Sequence, residues 1–239
     1  MAQSNVYSLN IVGYANVPTK QGFTFESNPF DASPNNAANN VIANPDPTQD
    51  YSGPWDASSL QTWTGVGWNI LLFDSVTSDT TTGFTTLAGA PAPAPVLNSG
   101  LGYLINNGQG VSNNITYVGN VRTGTNSITY PIAAHAYSVG SPLPYGGGLS
   151  TALGMAQAPT TDYSGPLDGS YIQQLKVNAA GQAIGYQITL FDSVTTDTTT
   201  GFTTLAGAQT PEPQIPIGGG FLFISQGAAP YTWTQILNP

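Results

Sequence analysis

Residues 72–90 read LFDSVTSDTTTGFTTLAGA and residues 190–208 read LFDSVTTDTTTGFTTLAGA; only Ser78 against Thr196 differs. Near-identity of this length at a fixed offset marks an internal duplication. The segment also shows what kind of unit is duplicated. Leu, Phe, Val and Thr, which suit a pleated and half-buried surface, come in short runs broken by glycine, with no helical period. Moving outward, Asp50-Tyr-Ser-Gly-Pro54 recurs as Asp162-Tyr-Ser-Gly-Pro166, and Gly102-Tyr-Leu-Ile105 answers Gly220-Phe-Leu-Phe223. Each of the latter pair follows a Pro-x-Pro stretch, at Pro93 and Pro95 in one copy and at Pro211 and Pro213 in the other. The repeat proper covers 5–112 and 113–226, so the chain divides into a first unit, 1–112, and a second, 113–239, that carries a terminal strand.

A strand of that terminal kind occurs three times. Val6-Tyr-Ser-Leu-Asn-Ile-Val12 opens the first unit, Ile115-Thr-Tyr-Val-Gly-Asn-Val121 opens the second, and Tyr231-Thr-Trp-Thr-Gln-Ile236 follows it. Two bodies with three such strands leave one available to a neighbour. Val6, Leu9 and Ile11 of the first strand and Tyr231, Trp233 and Ile236 of the last are therefore the candidate assembly residues. Elsewhere 22–27, 69–73, 103–105, 184–191 and 220–224 read as strands between Gly, Pro and Asn clusters. Asn107-Gly108 reads as a turn before a returning strand, and Pro91, Pro93 and Pro95 as an edge or loop. The stretch 148–157 is too short and too flanked by glycine to count as a helix. The expected fold is all-β, two tandem β-sandwich or barrel-like units, with a single pseudo-twofold β body as the alternative.

Composition narrows the function classes. Only 6% of the 239 residues are charged, against roughly a quarter in an ordinary domain. Lys20, Arg122 and Lys176 stand against twelve carboxylates, for a net charge of −9. Three scattered cations cannot neutralise a run of phosphates, which excludes nucleic acid and disfavours anionic membrane surfaces. No apolar run approaches the roughly 20 residues that span a bilayer, so membrane insertion is not expected. The absence of cysteine removes disulfides, thiolate metal sites and cysteine nucleophiles together. Met1-Ala2-Gln3 leads straight into the strand-like 6–13, and a small residue at such a start is what signal-peptide cleavage leaves. The expectation is an extracellular or cell-surface protein, exported by a cleaved signal peptide that this chain does not carry.

The opening V-Y-S-L-N-I-V-G-Y (6–14) with G-F-T-F-E-S-N-P-F (22–30), the central I-T-Y-V-G-N-V (115–121), the stretch 218–224 and the closing T-W-T-Q-I-L-N (232–238) together resemble an uncharacterised family of secreted β-repeat proteins common in Verrucomicrobia and related bacteria. The resemblance covers most of the chain and implies an exported β protein with no assigned activity. The Asp-Ser-Val-Thr-x-Asp-Thr-Thr-Thr segment lies outside that pattern.

Several residues invite chemistry. His135 is the only histidine and stands near Ser138 in His135-Ala-Tyr-Ser-Val-Gly140, where Ala-x-Ser-x-Gly is a variant nucleophile elbow. That motif needs a strand–turn–helix setting and a downstream histidine, and neither is present. Glu26 and Glu212 are the only glutamates and have no counterparts across the repeat. A glycosidase would have to use them or the Asp pairs as facing acids, yet an active site seldom needs its acids twice. The pairs Asp74 with Asp79 and Asp192 with Asp197, interleaved with Ser and Thr, suit calcium better, since Ca²⁺ takes hard oxygen ligands. The bland reading is that these aspartates bond their own turns. The threonines at 80–82, 85–86, 198–200 and 203–204 admit strand filler, a hydroxyl surface for sugar or ice, or a glycosylation tract, and filler leads. Trp55, Trp63 and Trp68 would make a sugar-stacking platform if exposed, although tryptophan is more often core.

The sequence thus predicts a non-enzymatic extracellular structural protein that self-assembles head-to-tail into a filament, sheath or surface layer. Its partner would be itself, and calcium is the one candidate cofactor. A carbohydrate-binding module or surface adhesin that takes glycans is the alternative, and a secreted hydrolase comes third.

Overall fold

Alternating apolar residues demand sheets with two distinct faces, and that is what forms. The computed structural model describes residues 11–42, 55, 57–73, 83–131, 135–155, 167, 169–192, 201–226 and 230–238. Its strands, numbered along the chain, make two large antiparallel sheets. The first has the order β2 (Gly22–Ser27), β7 (Gly102–Asn107), β3 (Ser59–Trp63), β4 (Trp68–Phe73), β5 (Phe84–Thr86), β6 (Pro91–Ala92). The second has the order β10 (His135–Gly140), β16 (Gly220–Ser225), β12 (Tyr171–Val177), β13 (Ala183–Phe191), β14 (Phe202–Thr203). Two ribbons accompany them, β1 (Val12–Thr19) with β8 (Asn113–Asn120) and β9 (Gly124–Tyr130) with β17 (Tyr231–Leu237). A short pair, β11 (Gly147–Gly148) with β15 (Gln214–Ile215), and one turn of helix, α1 (Ala38–Val41), complete the described elements. The protein is nearly all-β with several open sheets, and among the described residues none closes into a barrel.

Side-chain alternation sorts the apolar residues into three layers. Tyr103 and Ile105 of β7 point with Leu60, Phe73 and Phe84 into a first core, which Val17, Ile115 and Tyr117 of the β1–β8 ribbon cover. Phe221 and Phe223 of β16 point with Ile172, Phe191 and Phe202 into a second core, which Tyr130 and Trp233 of the β9–β17 ribbon cover. The residues between them, Phe25, Leu104, Leu222 and Ile224, face the other way and form a third cluster with Trp63, Trp68, Tyr171, Leu175 and Tyr186. The two large sheets therefore meet through the faces that their ribbons leave uncovered.

Main-chain bonds fasten this junction at matched places. Ser27 N–H donates to Gly218 O at 2.7 Å, and Gly140 N–H donates to Gly100 O at 3.1 Å. Glu26 bridges to Gly219, and Val139 bridges to Leu101.

Most of the stretch 115–121 falls in β8, which pairs with β1 from Val12–Asn120 to Thr19–Asn113 and gives Ile115 and Tyr117 to the first core. Asn107 does start a turn, with Oδ1 accepting from Gln109 N–H, but the chain then crosses to the ribbon instead of returning alongside β7.

Glu26 is the polar exception in the first core. Its side chain is buried, and neither carboxyl oxygen has a hydrogen-bond partner. It stands directly across from Tyr103 in the β2–β7 ladder, and the Tyr103 hydroxyl bonds to that of Tyr117. Burial pushes the Glu26 carboxyl well above the ordinary carboxylate range, because the ionised form loses its hydration without gaining a partner. A raised folded-state pKa means that the folded chain holds a proton the unfolded chain releases. Stability is then full below the ordinary carboxylate pKa and falls as pH rises toward the folded-state value. Urea denaturation between pH 5 and 9 should show this loss, at up to about 1.4 kcal/mol per pH unit, and Glu26→Val should flatten it. Parallel curves for the two proteins would contradict the assignment.

Candidate functional site

The residues singled out by sequence fall in separate places. Asp192 lies at the end of β13, 3% exposed, its N–H donating to Gly201 O at 3.1 Å. Asp74, Asp79 and Asp197 lie outside the described residues, as do Val6 and Leu9. Among the described residues no three metal-ligating side chains gather. The carbonyl of Ile11 accepts from Val121 N–H at 2.8 Å.

The last strand is paired along one edge. β17 pairs with β9 along its whole length, from Tyr231–Tyr130 to Leu237–Gly124. Trp233 is 1% exposed and donates from Nε1 to Leu153 O at 2.7 Å. Truncating a buried tryptophan costs about 3–5 kcal/mol, so removing the strand would unfold the second core. Ile236, by contrast, is 55% exposed.

His135 and Ser138 share a strand three positions apart, so their side chains leave opposite faces of β10. His135 packs against Tyr137, ring centroids 5.0 Å apart. The Ser138 hydroxyl donates to Gly102 O at 2.6 Å, inside the junction. Glu26 and Glu212 are likewise apart. Glu212 accepts from Thr151 N–H and from the Thr151 hydroxyl, both at 2.7 Å, and so holds the turn after β11. Trp55 is buried in the first core, stacked on Phe73 at 5.5 Å, and belongs to no surface platform. Trp63 and Trp68 meet edge to face at 5.1 Å in the third cluster. Of the threonines in the repeated run, Thr85 and Thr203 are buried and Thr86 and Thr204 half-buried.

What the sequence did not show is a cleft of about 460 Å³ beside the junction, lined by the end of β3, the 95–102 segment, β9 and β10. Trp63, Tyr137 and His135 present rings to it, and Val96 and Leu101, 58% and 45% exposed, stand at its rim. No charged residue lines it. The Trp63 indole N–H is already spent on Ala136 O at 2.7 Å, so the walls are mainly apolar with few donors to offer. Three segments far apart in sequence build this site, and no local signal marks it.

No family model, no curated protein and no solved structure matches the chain.

Removing the Ser138 hydroxyl leaves the Gly102 carbonyl without its donor in a buried place. Ser138→Ala should therefore lower stability by about 1–3 kcal/mol in urea denaturation. An unchanged midpoint would show that this bond does not hold the junction.

Proposed function

We propose that the chain is a non-enzymatic structural protein of the cell exterior that assembles into a filament, sheath or surface layer by strand addition at the β9–β17 ribbon. The observation that carries this reading is the contrast between the two ribbons. The β1–β8 ribbon is blunted: Asp31 caps β8 at Asn120 with two main-chain bonds of 3.0 and 2.8 Å, and β1 carries Pro18 within the strand. Charged residues, prolines and covering segments are how edges avoid pairing. The β9–β17 ribbon has none of these. Neither of its strands contains a charged residue or a proline, and neither is laddered to a third strand among the described residues. An extended edge of this kind offers main-chain hydrogen bonds to an incoming strand.

The same proposal includes a chain built from two copies of one sandwich unit. The strand orders of the two large sheets run in parallel, and Ser27, Gly100, Glu26 and Leu101 stand in one half where Gly140, Gly218, Val139 and Gly219 stand in reciprocal places across the junction. Such exchange is approximate twofold symmetry, and a twofold contact closes on itself. Polymer growth through a repeat of the internal contact, the head-to-tail expectation, therefore gives way to growth through the ribbon edge. Calcium at Asp74, Asp79, Asp192 and Asp197 is an accessory of this proposal.

Thr234 and Ile236 both point outward from β17, so lysines there should leave the second core intact. Negative-stain microscopy of the wild type should show ordered polymers, and Thr234→Lys with Ile236→Lys should leave isolated particles. Ordered polymers in the double variant would rule out growth at this edge, and their loss in chelator alone would assign the aspartates to metal.

A further inference from the structure

We infer that Glu26 makes the β1–β8 ribbon a proton-held cover: with the carboxyl neutral the ribbon lies closed on the first core, and ionisation favours an open form in which the rest of the fold stays in place. This device is independent of the assembly proposed above.

The polar groups under that ribbon are short of partners. Glu26 is 1% exposed, and neither of its oxygens is bonded. Thr24, two residues away on the same face of β2, and Thr19, the last residue of β1, also bury hydroxyls without a partner. A buried, unpaired carboxylate is costly, and each unbonded hydroxyl adds to that cost. Water relieves all of them at once, and the strands differ in how firmly they keep it out. β2 is laddered to β7 over its whole length. It is also bonded across the junction, by Phe23 N–H to Gly181 O and Ser27 N–H to Gly218 O, at 2.9 and 2.7 Å. The ribbon is laddered only to itself among the described residues, apart from the bridge of Asp31 to Asn120. Two antiparallel strands alone are marginal in water, so the ribbon depends on what its inner face packs against. Val17, Ile115 and Tyr117 do that packing, and the Tyr117 hydroxyl bonds to that of Tyr103 in β7. Their burial keeps the open form rare, and pH sets how rare.

The carboxyl is the group that titrates here. Tyr103 and Tyr117 are its titratable neighbours; burial raises both phenols well above the usual tyrosine range, and a charge on Glu26 raises them further. The other elements around this core bring no charge to it: β1 contributes Val17 and Thr19, β8 Ile115, and α1 Ala38 and Val41. Lys20 is exposed, and Asp31 is paired with Arg122. The chain also carries its own control. Counted from the Ser27–Gly102 and Gly140–Gly220 pairs, Val139 holds in β10 the place of Glu26, and Phe221 holds in β16 that of Tyr103. The β9–β17 ribbon covers its core with Trp233, which bonds to Leu153 O instead of to the sheet beneath. One ribbon therefore lies over a proton site and the other over hydrocarbon.

Hydrogen exchange read by mass spectrometry tests this from about pH 5 to about pH 9, where a carboxyl freed from burial is ionised. Protection factors divide out the pH dependence of exchange itself. The β1–β8 amides should be less protected than those of β7 at every pH, because they open without the sheet. Their protection should fall by up to about tenfold per pH unit, and Glu26→Gln should remove that fall. Tyr103→Phe, which leaves the Tyr117 hydroxyl unbonded, should lower ribbon protection by roughly tenfold at every pH and keep the fall. Equal protection of ribbon and β7 amides at every pH would mean that Glu26 acts through global unfolding alone, and no cover lifts. Ribbon protection that ignores pH, or that falls equally in Glu26→Gln, overturns the device as well.

Discussion

Each large sheet has two apolar faces, and a two-stranded ribbon can cover only one of them. In β7 and β16 almost every side chain is buried: Tyr103, Leu104 and Ile105 in one, Phe221, Leu222, Phe223 and Ile224 in the other. An antiparallel sheet exposed on one side would carry polar residues at every second position. These strands do not, so the second face of each sheet has to find another apolar surface. Each finds the other. The third cluster, the matched main-chain bonds at Ser27 and Gly140, and the cleft beside them all follow from that requirement.

With 6% of residues charged, polarity is supplied by amides and hydroxyls that bond locally. Asn28, Asn36 and Asn107 hold loops by accepting from nearby backbone N–H groups, those of Phe30, Ala32 and Gln109. Among the described residues one ion pair stands out, Arg122 with Asp31, bonded through two nitrogens at 2.7 and 2.8 Å. It ties the connection between β8 and β9 to the segment after β2. The guanidinium lowers the Asp31 pKa, so this tie weakens only as pH falls through the acidic range, opposite in sign to the effect of Glu26. Since both partners are about one-third exposed, solvent screens most of its worth.

The strands themselves were legible, because period-two alternation and Gly-Pro punctuation are local. Gly22–Ser27 and Gly220–Ser225 form close to where the pattern places them. Partner choice was not legible. Nothing in Ile115–Val121 says that it pairs with a strand about a hundred residues earlier. Trp55 in the first core and the cleft beside the junction needed the packing of distant segments, which no window of sequence contains.

The account rests on the two halves forming one body through the faces their ribbons leave bare. Native-state hydrogen exchange at the amides of Ser27 and Gly140 reads that contact directly, since each donates across the junction. Both should be protected, and both should open in the same cooperative step as the core amides of Ile105 and Phe223. Fast exchange at Ser27 and Gly140 while those core amides stay protected would mean that the halves part freely, and the junction could not be what organises the fold.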